Sequence, residues 1–243
     1  MKREIALERQ NMKILAFDTS NKTLSLAILE NELLLADMTL NIKKNHSISL
    51  MPAIDFLMTS AGLKPKDLER IVVAKGPGSY TGLRVAVATA KMLAYSLGID
   101  LVGVSSLYAL AASACKQYPD SLVVPLIDAR RQNAYVGYYR QGELVLPEGH
   151  AALEVILNQL ERETSLTFVG ETTPFAEQIL ARFPRARIMP TLPSAYECGL
   201  LGQGLAPENV DAFVPHYLKR VEAEENWLKN HRASDDSQYI KRV

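Results

Sequence analysis

The sequence predicts an α/β protein of two lobes, each a βββαβα unit with a mixed sheet. Three observations carry this. The chain opens on apolar and alternating runs separated by polar turns, the pattern of an antiparallel meander. Helix-period segments then alternate with short β-branched runs, which places helices on both faces of a sheet. Finally, the layout starts again: "SLVVPLIDARRQNAYVGYYRQGELVL" repeats the order of "NMKILAFDTSNKTLSLAILENELLLA", with Asp128 standing where Asp18 stands. This is a duplication of one large unit, not a short solenoid repeat.

The elements follow in order. "KILAFDTS" (13–20) is a buried strand ending in an acid, "TLSLAILE" (23–30) pairs back through a Ser-Asn-Lys turn, and "LLLADMTLNI" (33–42) completes the meander. A helix over 47–61 stops at Gly62. "RIVVA" is a buried strand, followed by "KGPGSYTG" and a helix to Leu97, where Gly98 suits the left-handed position past a helix end. "DLVGV" is a strand and 105–117 a helix. After the second meander come a helix over 151–161, the strand "LTFVGE", a helix over 174–183 and "RIMP". A last helix over 195–205 packs back on the first lobe. The expected organisation is an extension over 1–11, a first lobe over 12–118 plus 194–217, a second over 119–193, and a polar tail over 218–243.

Composition excludes several function classes. Lys+Arg and Asp+Glu are both 27, so the chain lacks the basic excess of an autonomous nucleic-acid binder. No apolar run approaches the roughly 20 residues of a membrane span. The segment "MKREIALERQNM" has no apolar core and is not a signal peptide; it reads as an extension or an upstream start. Cys115 and Cys198 lie far apart outside any CxxC, as buried free thiols of a cytoplasmic protein would.

The segment "VVAKGPGSYTGLRVAVATAK" (72–91) joins a strand to a helix through glycines, the usual setting for phosphate. It is no Walker A loop, because Leu83-Arg84 follows Gly82. It is no GxGxxG, because position 81 is Thr. It is no nucleophile elbow, because Tyr80 sits at the centre of "GSYTG". What remains is physical: Gly76 and Gly78 permit unusual backbone, and Ser79 or Thr81 can cap the helix. Anion binding and plain turn chemistry both fit. The helix after the loop has little polar face, and so does the helix before it, "SISLMPAIDFLMTSAG". Two such helices in succession point either to a deep core or to a face covered by another chain. The expected interface residues are Ile48, Met51, Ile54, Leu57, Met58, Arg84, Val87, Lys91 and Tyr95.

Two units with an acid closing each first strand describe the ribonuclease H-like, actin-like (ASKHA) ATPase architecture, in which nucleotide lies between the lobes. It makes Asp18, Thr19, Gly76, Gly78, Ser79, Thr81, Gly82 and Asp128 the candidate residues of vestigial phosphate turns. The alternative is that the two acids only cap their turns.

"ILAFDTS", "NHSISLMP", "GPGSYTGLRVAVATAK", "LVGVSSLYALA", "IDARRQNAYVGYY" and "YLKR", in order from Met12 to Lys219, resemble the TsaB (YeaZ) family. The resemblance implies a two-lobed actin-like fold and a role in placing threonylcarbamoyl on the adenosine 3′ of the anticodon in tRNAs reading codons that begin with A. It implies a non-catalytic scaffold that binds and activates a TsaD-like catalytic subunit, joined by a TsaE-like ATPase. It also implies a cytoplasmic location, a homodimer when alone and tRNA contact only through the complex. It implies no cofactor and no metal of the chain's own, ATP or ADP being expected only at the interface with the partner. TsaD's metal-binding His-x-x-x-His falls on Ser106 and Leu110 here, and leucine cannot hold a metal. The turn after Asp128 lacks glycines, and only Gly170 precedes Glu171 on the adenosine side. The alternative function is an autonomous glycoprotease-like or ATP-hydrolysing enzyme; it requires a nucleophile with a base, or intact phosphate loops, and the sequence shows neither.

Overall fold

The computed structural model describes residues 11–41 and 45–219. The expectations for the amino-terminal extension and the tail therefore lie, except at Asn11, Leu218 and Lys219, outside the described residues. In the first lobe β1 (Lys13–Asp18), β2 (Leu24–Glu30) and β3 (Leu33–Leu40) form the antiparallel meander. The strands β4 (Arg70–Gly76) and β5 (Asp100–Ser105) add parallel to β1, giving the order β3-β2-β1-β4-β5. The second lobe holds β6 (Leu122–Asp128), β7 (Asn133–Arg140), β8 (Glu143–Ala152), β9 (Leu166–Gly170) and β10 (Arg187–Met189). Their order, β10-β9-β6-β7-β8, repeats the first sheet strand for strand. The duplication read from the chain is thus a duplication of topology.

Alternation along β1 sends Leu15 and Phe17 to one side and Ile14 and Ala16 to the other, all fully buried. The helices α1 (His46–Ser60) and α2 (Tyr80–Leu97) cover the Leu15 side. The Ile14 side receives α6 (Ala195–Gly204), as expected for the returning helix. In the second lobe α4 (Leu153–Gln159) and α5 (Ala176–Arg182) pack on one face. The other face takes α3 (Ser106–Gln117), whose Leu107, Leu110 and Ala114 meet Val123, Ile127 and Val169. Placed by chain order with the first lobe, α3 therefore buries much of its apolar surface on the second sheet. Ser105 is its amino cap and also donates from Oγ to the Glu148 carboxylate, which Tyr139 OH joins, pinning the lobes together.

Two elements differ from expectation. β8 continues through Ala151 and Ala152, which pair with Ala134 and Asn133, so α4 starts only at Leu153. The segment after α6 is a strap and not a plain return. Glu208 N donates to Leu101 O at 2.8 Å, and the Glu208 carboxylate receives Lys75 Nζ at 2.8 Å. Phe213 is buried in the first core, and His216 N donates to Lys75 O at 2.7 Å.

Arg70 anchors this end of the chain. It is 2 % exposed; Nη1 donates to the carbonyls of Gly202, Gln203 and Leu205, and Nη2 to Asp100 at 2.6 Å. A guanidinium thus satisfies the free carbonyls at the end of α6 and offsets the helix dipole. Arg70→Ala should cost about 3 kcal/mol or more in denaturant unfolding, because it strands buried carbonyls and a carboxylate. A loss below about 1 kcal/mol would show that the clasp is dispensable.

Candidate functional site: the inter-lobe cleft and the outer helical face

The carboxyl ends of β1 and β6 meet across a cleft of about 580 Å³. Ser20, Asn21 and Lys22 line it from the β1–β2 turn, Gly78 to Thr81 from the glycine loop, and Asp128 to Arg130 from the β6–β7 turn. His46, Tyr135 and Glu171 complete the wall. Both repeats make the same aspartate turn: Asp18 Oδ1 accepts from Ser20 N at 2.6 Å, and Asp128 Oδ1 from Arg130 N at 2.8 Å. The side chains bend their own backbone in the manner of Asx turns. Beyond that the copies diverge. Asp128 is exposed on the cleft, whereas Asp18 has no exposed surface.

Of the eight residues expected at phosphate turns, Gly78, Ser79, Thr81 and Asp128 face the cleft. Asp18, Thr19, Gly76 and Gly82, expected in vestigial phosphate turns, are buried. The reason is a direct backbone contact. Ser79 N donates to Ser20 O at 2.6 Å, and Thr19 Oγ1 donates to Gly82 O at 2.8 Å. A Cβ on Gly82 would stand 2.0 Å from Thr19 O, and one on Gly78 2.3 Å from Ser20 O. On Gly76 it would stand 2.2 Å from the strap's His216 O. The glycines therefore serve close approach between chain segments. The Ser79 hydroxyl caps α2 by accepting from Gly82 N. A nucleotide with its metal does not fit this lobe as built: the acid that would face it is sealed, and the loop amide at Ser79 is already used.

Burial dominates the electrostatics. Desolvation pushes the Asp18 carboxyl up to about 6, against a smaller opposing effect of hydrogen bonds from Ser20, and its Oδ2 has no partner. Burial also raises Glu171, opposed by hydrogen bonding from Asp128 N and by the Lys22 charge. Cys115 and Cys198 are free and buried, and desolvation raises both thiols away from the reactive thiolate. Ser106 and Leu110 are buried in the packing of α3. Among the described residues, no three His, Cys, Asp or Glu side chains come together as a metal site, and no helix is long and apolar enough to cross a membrane.

The outer helical face corrects the list of interface residues. Ile54, Leu57, Met58 and Val87 point inward and are buried against Leu15, Phe17 and Ile71. The exposed apolar side chains are Ile48 (72 %), Met51, Phe56 (60 %), Met92 and Tyr95 (75 %). Phe56 and Met92 are not among the expected interface residues, because a helix apolar nearly all round does not reveal which apolar residues the core takes. Arg84 lies over the Tyr80 ring at 4.7 Å, Tyr80 packs on Tyr217 at 5.1 Å, and Lys91 donates to Asp211 O.

A doubled β3-β2-β1-β4-β5 sheet with a cleft at the ends of the two first strands defines an actin-like protein of the ATPase-fold class. The family model described as "TsaD: tRNA N6-adenosine threonylcarbamoyltransferase" matches residues 34–227. The tRNA threonylcarbamoyladenosine biosynthesis protein TsaB of Bacillus subtilis is 38% identical over 231 residues, 91% of this chain and 100% of that protein. Its namesake from Haemophilus influenzae is 28% identical, over 91% of this chain and 95% of that protein. The solved YeaZ of Pseudomonas aeruginosa superposes with a TM-score of 0.70 at 27% identity, covering 85% of this chain and all (100%) of that one. The chain belongs to the TsaB (YeaZ) family.

Two substitutions test the site as described. Gly82→Ala should lower stability by about 2 kcal/mol or more, since helical backbone must move away from Thr19 O. A stable variant altered only in ligand binding would restore the phosphate-loop reading. Asp18→Asn removes a buried charge. Because its folded value, about 6, lies above the unfolded 3.8, the stability its proton contributes is present at pH 4 and lost as pH rises through 6. The stability of Asp18→Asn relative to wild type should thus rise by about 2.4 kcal/mol between pH 4 and pH 7 in urea melts. A flat difference would contradict the burial argument.

Proposed function

We propose that the chain takes part in making threonylcarbamoyladenosine in tRNA as a non-catalytic subunit, and that the outer face of α1 and α2 holds a TsaD-like transferase in its active shape. The single observation that carries the scaffold role is the apolar set Ile48, Met51, Phe56, Met92 and Tyr95, left exposed on two adjacent helices whose inner faces are already satisfied. Aromatic and methionine side chains ringed by charge are the composition of a protein interface core, and methionine adapts to its partner. Arg84 and Lys91 supply the polar rim. The names of the relatives direct the role toward tRNA modification.

The sealed Asp18, the engaged glycine loop and the raised thiols support a subunit without chemistry of its own. In this reading a TsaE-like ATPase joins the pair, tRNA is met through the complex, and ATP or ADP sits only at the shared interface. Alone, the chain covers the same face with a second copy of itself.

The double substitution Met51→Glu/Tyr95→Glu tests this. Both residues are exposed, so the fold should change by no more than about 0.5 kcal/mol. Binding to the transferase should weaken about 100-fold, as expected for two interface anchors, and tRNA modification should fall with it. Undiminished modification would overturn the scaffold role. Charged substitutions at Ile54 or Val87 would report on folding instead.

A further inference from the structure

We propose that the rim of the inter-lobe cleft, carried by Lys22 on one repeated turn and Arg130 on the other, contacts backbone phosphates of the RNA that the assembled complex modifies. The inference rests on the reading above that this chain works inside a tRNA-modifying complex. Lys22 and Arg130 are exposed, sit on facing walls of one cleft, and form no ion pair among the described residues. Arg70, Lys75, Lys116 and Arg140, by contrast, each hold a carboxylate.

The second turn is built at a cost. Arg130, Arg131 and Gln132 have φ of 66°, 52° and 58°, three left-handed residues in a row without a glycine. That region is unfavourable for any side chain bearing a Cβ. The turn is held by Asp128 Oδ1 on Arg130 N and by Asn133 Nδ2 donating to Arg131 O at 2.9 Å. Glycine would relieve the strain, yet two exposed arginines stand there, and strain of this kind collects where particular side chains are needed.

The chemistry favours a polyanion crossing the mouth over a nucleotide entering the cleft. The wall beneath the basic rim carries Asp128 and Glu171. The amide of Ser79 is occupied and Asp18 is sealed, so a triphosphate inside meets the carboxylates of Asp128 and Glu171 without the loop amide or the first-turn acid to hold it. Phosphates spaced along an RNA strand need only the rim. The same rim runs into His46 and Tyr80, the amino ends of α1 and α2. RNA held by a partner on those helices therefore reaches Lys22 and Arg130 within the complex. The contacts would position the RNA without reading its bases.

The test uses the full chain with its TsaD-type transferase and an unmodified substrate tRNA. Lys22→Gln/Arg130→Gln should leave association with the transferase unchanged. It should weaken tRNA binding about tenfold at 50 mM KCl and flatten the slope of log K against log salt by about 1.5. Unchanged affinity and slope in an intact complex would overturn the proposal. So would loss of Mg-ATP binding in calorimetry with tRNA affinity retained, which would assign the charges to a nucleotide. Should the wild-type complex fail to form, the partner reading falls. The same variant is then compared with wild type on the isolated full chain at 50 mM KCl, where absence of tRNA binding, or binding that does not depend on these residues, overturns the RNA contact separately.

Discussion

Backbone packed directly on backbone, where the β1–β2 turn meets the glycine loop, is the contact on which the rest of the first lobe depends. Ser79 N on Ser20 O and Thr19 Oγ1 on Gly82 O leave no room for a side chain at Gly78 or Gly82. The contact sets where α2 begins. The same turn sets where α1 begins, because His46 Nε2 bonds Asn21 O at 2.7 Å. The two helices of the exposed apolar face are therefore both referenced to one turn. Such a face is pre-organised before any partner arrives, which reduces the ordering cost of association.

The duplication shows what this contact changes. Both repeats keep the aspartate turn, and both first strands end at the cleft. In the second lobe no glycine loop presses on the turn, so Asp128 remains exposed and the arginines after it face solvent. In the first lobe the loop closes over Asp18 and leaves its carboxyl buried with one oxygen unpartnered. An ionised carboxylate is expensive in such a place, hence its raised proton affinity. The asymmetry in burial follows from what covers each turn.

The fold was legible because strand alternation and repeat order are local or counted along the chain: both meanders, the returning helix α6 and the duplicated sheet follow from them. Three features were not. Ile54 and Val87 could not be told from Ile48 and Tyr95, because apportioning an apolar helix between core and solvent needs the sheet beneath it. The strap over 208–217 rests on Lys75–Glu208 and on buried Phe213, contacts between residues more than a hundred positions apart for the ion pair, which no spacing rule reports. The glycines of the loop signalled close approach correctly. Sequence could not say that the approaching group would be Thr19 and Ser20 of the same chain.

The sealed first turn and the placing of the outer helices rest, on this structure, on one set of bonds. Here the turn's hydrogen bonds go to the amino ends of α1 and α2. Those bonds use the carbonyls of Ser20 and Asn21 and tie the turn to both helices, whereas the Ser20 hydroxyl is buried without a partner. A displacement of either helix at its amino end is therefore felt at the turn, and a displacement of the turn at both helices. The buried first turn and the amino ends of the two outer helices thus form one bonded unit of the first lobe, and the apolar face is held in place by the same contacts that seal Asp18.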